Sequence, residues 1–162
     1  MNQPMKELLI RTEGRYFNEV EADQLRAFAG DLLDALEVTR AVELAEAAIL
    51  DECVARIMEA YPEIAEHHGP RAEAQVRRDQ QQVLRYACSS LLMRDPNLIH
   101  DKLSVWARTI LNAFAPHERL MFGYRALVDA VRNHVSEDQA DAILPYLGIH
   151  VDEMATHGGL PS

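Results

Sequence analysis

The stretch VTRAVELAEAAILDECVARIMEAYP, residues 38–62, decides the fold. Within it Leu50, Cys53, Val54, Ile57 and Met58 recur at steps of three and four, the period of one face of an α-helix. Pro62 closes the segment, because it lacks a backbone N–H and its ring clashes with the preceding turn. Its other residues are largely good helix formers, and the rest of the chain continues in the same way. Gly and Pro number 7 each in 162 residues, and the intervals between them are rich in Ala, Leu, Glu, Arg and Met. The fold class is therefore all-α.

Working towards the N-terminus, Asn18 with Glu21 three residues on forms a capping box. It opens a helix, separate from the one that starts at Val38, whose Leu25, Phe28, Leu32, Leu33 and Leu36 make an apolar stripe. Before it, Met5, Leu8 and Leu9 predict a short helix from about Pro4 to Glu13, stopped by Gly14. Towards the C-terminus, IAEHHGPRAEAQ (64–75) reads as a loop running into a long helix from about Arg71 to Arg94, ended by Asp95 and Pro96. Leu103 to Phe114 is helical. Pro116 falls at the first position of a further helix, with Glu118 in its acidic first turn and Leu120, Tyr124, Leu127, Val128 and Val131 as its buried stripe. Ser136 and Gln139 cap a last helix, which Pro145 is expected to kink, and HGGLPS (157–162) is expected to fray. No repeat, low-complexity block or linker interrupts residues 1–162, so a single domain is expected. Seven or eight uneven helices suit globin-type packing better than a four-helix bundle.

Against 16 Lys and Arg stand 26 Asp and Glu, a formal charge of −10. That field repels phosphate backbones, and although Arg71, Arg77, Arg78 and Arg85 cluster, no aromatic residues interleave with them; nucleic acid is not an expected partner. A chain of this size buries about 70% of its unfolded surface, so it needs no disulfide or metal to fold. Cys53 and Cys88 form no CxxC pair and suit a reducing compartment. The start has no signal-peptide pattern and no run of about 18 apolar residues occurs, so a soluble, cytoplasmic protein without a membrane span is expected.

Catalytic motifs are absent: there is no GxSxG, P-loop or dinucleotide glycine pattern, and neither cysteine has a neighbouring base in sequence. The reading is not an enzyme. Of the histidines, only His67 and His68 are adjacent, and neighbours do not converge on a metal as an i, i+4 pair does. His117 and His134, near helix ends, do not suit haem ligation. The chemically informative segment is AQVRRDQQQVLRYAC (74–88). Val76, Asp79, Val83 and Tyr86 share one face, which puts a carboxylate on an apolar stripe. Buried there it needs a cation, a proton or hydrogen-bond donors such as the convergent N–H groups of a ligand; at the stripe's edge, paired with an arginine or hydrated, it needs none of them.

With these residues in view, the chain resembles the phycobilisome protein family, the subunits of phycocyanin and allophycocyanin, most closely the alpha type. The likeness is carried by EGRYF (13–17) before a helix, by AVELAEAAILDECVARIMEAYPE (41–63) with its aromatic–Pro ending, by RRD followed by LRYA (77–87), and by ILNAFAPHERLMFGYRALVDAVRNHVSEDQADAILPYLGIHVDEM (110–154). The resemblance implies a phycocyanin-like fold: a globin-like six-helix body with a protruding N-terminal helical pair, within residues 4–36, that docks on a partner. It implies further that Asp79 accepts hydrogen bonds from the pyrrole N–H groups of an open-chain tetrapyrrole, a bilin, and that Arg78 pairs with a propionate. The family's attachment cysteine, however, is replaced by Val76, and the loop after Pro62 is short. Two functions follow as expectations. One is a non-covalent bilin-binding protein related to light harvesting or bilin handling, with Arg78, Asp79, Val76, Val83 and Tyr86 around the pigment. The other is a chromophore-free interaction or regulatory module that oligomerises through its N-terminal helices, as a homodimer or with a related phycobilisome-like subunit.

Overall fold

A computed structural model describes residues 3–95 and 117–156. Among them every regular element is helical: α1 (Gln3–Arg11), α2 (Glu19–Ala60), α3 (Glu63–His68), α4 (Ala72–Met93), α5 (His117–His134) and α6 (Glu137–Thr156), with a 3-10 turn at Gly69–Arg71. The expected helix at Leu103–Phe114, Pro116 and the tail 157–162 lie outside the described residues.

The two helices expected on either side of Leu36 are one: α2 runs unbroken for 42 residues, about 63 Å at 1.5 Å per residue. Neither Pro nor Gly stands between Leu36 and Val38, so nothing interrupts the i to i−4 ladder where the apolar stripe changes position. The capping box at its start is complete, with Asn18 Oδ1 accepting from the Glu21 N–H and the Glu21 carboxylate accepting from the Asn18 N–H. Glu21 is 5% exposed and also takes two hydrogen bonds from Arg15, at 2.7 and 2.8 Å. Arg11 of α1 stands 3.6 Å away. This cluster holds its carboxyl down at about 2, chiefly through the Arg15 hydrogen bonds. It folds α1 back on α2, with Gly14 supplying the left-handed turn between them at φ 77°.

The segment expected as a loop after Pro62 is the short helix α3. Gly69 ends it at φ 60°, a conformation that favours glycine. Helix α4 stops where Arg94 turns left-handed; the Asp95 N–H then donates to the Ser90 carbonyl. The Ser136–Gln139 capping box forms as expected, and α6 continues through Pro145.

The core lies where α2, α4, α5 and α6 meet. Ile49 and Cys53 of α2, Leu84 and Ala87 of α4, Leu127, Ala130 and Val131 of α5, and Ile143 of α6 are each 0% exposed. Each large aliphatic chain so buried contributes roughly 1.5–3 kcal/mol. Alanines at 87, 126 and 130 and Gly123 bring the helices together closely; the Cys53 thiol donates to the Gly123 carbonyl at 3.9 Å. The apolar stripe on the first half of α2 is largely open: Leu32, Leu33 and Leu36 are 40, 63 and 53% exposed. In that half only Glu21 and Ala35 are buried, because little packs there before the core cluster begins at Ala35.

Candidate tetrapyrrole site on the fourth helix

Helix α4 is locked to α2 along one side. Arg85 donates twice to Glu46, through Nε at 2.8 Å and a terminal nitrogen at 2.7 Å, and Gln81 donates to the same carboxylate at 2.8 Å. The Arg85 hydrogen bonds hold the Glu46 carboxyl below its ordinary value, against the opposing effect of burial. Arg77 pairs with Asp51. These contacts engage the basic residues of α4 that face α2; Arg85, though exposed, is one of them.

Arg78 and Asp79 are different. Both are exposed, and neither forms a hydrogen bond or ion pair among the described residues. Packed atoms nevertheless displace enough water around Asp79 to raise its carboxyl above the ordinary value, an effect that the neighbouring Arg78 charge only partly offsets. Being exposed, the carboxylate stands at the edge of the apolar stripe, open to water and to a ligand on that face. The other expected contacts are divided. Val76 and Tyr86 are half-buried, packed on the edge of the core, whereas Val83 is 6% exposed and belongs to the core itself. Val83 therefore supports the helix from within instead of lining an open face.

Two groups from α5 complete this level of the molecule. Tyr124 is 5% exposed, and its phenol is pushed up to about 12, first by burial and then by the Asp79 charge. Gly123 faces Gln80: a Cβ at Gly123 would lie 3.2 Å from Gln80 Nε2. Gln80 Oε1 is shielded from water and has no hydrogen-bond partner. Sequence reasoning placed Tyr124 on a core stripe and did not single out Gln80. The available signal was its position four residues from both Val76 and Leu84, an amide on a face otherwise turned to the core.

A family model described as a phycobilisome protein matches residues 10–154. The chain belongs to the phycobilisome protein family. The all-α, globin-like phycobiliprotein fold goes with that membership, as does a phycobiliprotein-like role related to light harvesting. No curated relative matches the chain.

The residues present fit an open-chain tetrapyrrole in charge but not in tether. Among the described residues a partly desolvated carboxylate and a guanidinium stand next to each other with no ion pair to another helix, and a shielded acceptor without a hydrogen-bond partner lies one residue on. No thiol accompanies them. Cys53 is in the core, with its thiol pushed up to about 12 by burial, and Cys88 is nine residues along α4, about 14 Å from the level of Asp79. Among the described residues no cluster of His, Cys, Asp or Glu could hold a metal, and no helix is long and apolar enough to cross a membrane. His134 Nε2 sits 2.9 Å from Glu52 Oε2 on the α2–α5 surface.

Proposed function

We propose that this phycobilisome-family protein holds an open-chain tetrapyrrole non-covalently against α4, in light harvesting or bilin handling. Asp79 accepts hydrogen bonds from pyrrole N–H groups, Arg78 meets a propionate, and Val76 and Tyr86 supply apolar contact. The observation that carries this reading is the adjacent Arg78 and Asp79 on the exposed side of α4, neither held by an ion pair to another helix among the described residues, with partial desolvation raising the Asp79 carboxyl. Such a group gains from N–H donors what it lost in water, and charge-assisted hydrogen bonds of this kind are among the stronger ones available. The pigment, when bound, supplies visible absorption, which a carboxylate beside its nitrogens would tune. The test is coexpression with bilin synthesis, followed by denaturation. A visible band that is lost in Asp79→Ala and a colour released from the unfolded chain are expected. Colour that stays attached would contradict the non-covalent mode, and a colourless product would contradict the whole reading.

A second reading, an assembly module that works without pigment, is favoured by a separate observation. Leu9 and Ile10 of α1, Phe17 of the connection and Val20, Leu33, Leu36 and Leu44 of α2 are between 40 and 73% exposed. Apolar side chains exposed along α1, its connection and the first part of α2 suit a partner subunit, either a second copy or a related phycobilisome-like chain. Sedimentation of the parent and of Leu33→Glu/Leu36→Glu separates the cases. A colourless dimer that the double variant dissociates supports assembly alone, and a monomer at high concentration argues against it.

A further inference from the structure

We propose that Gln80 is a second polar anchor for the ligand of Asp79, its primary amide pairing with the lactam at one end of an open-chain tetrapyrrole; this rests on the pigment reading above. Gln80 follows Asp79 directly on α4, and its amide lies in the seam with α5, against Gly123. Its carbonyl oxygen is shielded and unpartnered, and none of the hydrogen bonds among the described residues involves its side chain. The next residue behaves in the opposite way, since Gln81 is bonded to Glu46 at 2.8 Å. A shielded acceptor left unpaired costs about 1–3 kcal/mol, a cost that an apolar residue at the same place would avoid. Gln80 is itself only half-buried, so its flexible stem is not locked in the core. Turning the amide about its last torsion exchanges oxygen and nitrogen without changing its shape.

The chemistry selects the ligand group. A primary amide presents an N–H donor and a C=O acceptor side by side. A lactam presents the complementary pair, and the terminal rings of an open-chain tetrapyrrole are lactams. Asp79, acceptor-only when ionised, suits the inner pyrrole N–H groups, whereas Gln80 suits the ring end. Because Gly123 has no side chain, the amide packs directly on the α5 backbone: a Cβ there would lie 3.2 Å from Gln80 Nε2 and 3.6 Å from Ile57 Cδ1.

The test titrates biliverdin into the full-length parent, Gln80→Leu and Gln80→Met, read by visible absorption, with the melting temperature of each ligand-free protein measured in parallel. Both substitutions keep approximate volume and remove the polar atoms. About tenfold weaker binding with a shifted band is expected in both, the size of one to two net hydrogen bonds, together with an unchanged or higher ligand-free melting temperature. Equal affinity and an unchanged spectrum in the folded variants overturn the role of Gln80 while leaving the pigment reading in place. No visible complex with the parent overturns both.

Discussion

Replacing Gly123 by alanine sets two effects of known sign against each other. Glycine inside a helix is less favourable than alanine by about 0.8–1 kcal/mol, so the change stabilises α5 unless its methyl group has no room. A Cβ there would meet Gln80 Nε2 at 3.2 Å and Ile57 Cδ1 at 3.6 Å. The second contact is ordinary, and the first requires the amide to yield by a few tenths of an ångström. That amide is the end of a flexible side chain with no hydrogen bond to lose, so its adjustment costs about 0.5 kcal/mol, the lower end for a displaced rotamer. Gly123→Ala is therefore expected to gain about 0.5 kcal/mol, or roughly 1–2 °C in melting temperature for a domain of this size. In a Gln80→Ala background the full helix gain should return, a coupling of about 0.5 kcal/mol. Thermal unfolding of the four proteins measures both quantities. A loss of more than 1 kcal/mol in Gly123→Ala would refute the reasoning, because it would mean that the α4–α5 seam is rigid and Gln80 is not free to turn.

Three further outcomes follow from the packing and electrostatics. Leu127→Ala, at a position with 0% exposure, should cost about 3 kcal/mol through lost burial and a residual cavity, seen as a lower urea midpoint at unchanged slope; a cost below 1 kcal/mol would place Leu127 outside the core. Because the Glu21 carboxyl is held down at about 2 in the folded chain, below its unfolded value of about 4.3, its stabilisation is present above that unfolded value and is lost as pH falls through about 2. Hydrogen-exchange protection of α1 should fall over that window, and Arg15→Gln should move the fall to higher pH; protection unchanged in the variant would separate α1 docking from this cluster. Burial pushes the thiols of Cys53 and Cys88 up to about 12 and about 11, so at pH 8 both are neutral. Iodoacetamide should label neither in the native protein and both in urea, and rapid native labelling of Cys88 would show that α4 opens.

The sequence by itself determined the helical class, the caps and the core faces. These are local properties: a capping box needs residues three apart, and Asn18–Glu21 and Ser136–Gln139 form theirs as written. The same is true of the faces on which Leu50, Cys53, Val54, Ile57, Leu127 and Val131 lie, because the helix period alone sets them. Where the local signal was indifferent the reading missed. Nothing near residue 37 distinguishes two helices from one, and no pattern in Leu32, Leu33 and Leu36 tells whether a neighbour will cover them. Only the tertiary structure decided those points, because covering is a property of what lies opposite. It likewise assigned Arg85 to Glu46, left Arg78 and Asp79 without ion pairs to other helices among the described residues, withdrew Val83 into the core, and brought Gln80, Gly123 and Tyr124 to the level of Asp79. Those groups come from helices some forty residues apart, and proximity across that separation is fixed by how the helices pack, which the spacing of residues along either helix does not contain.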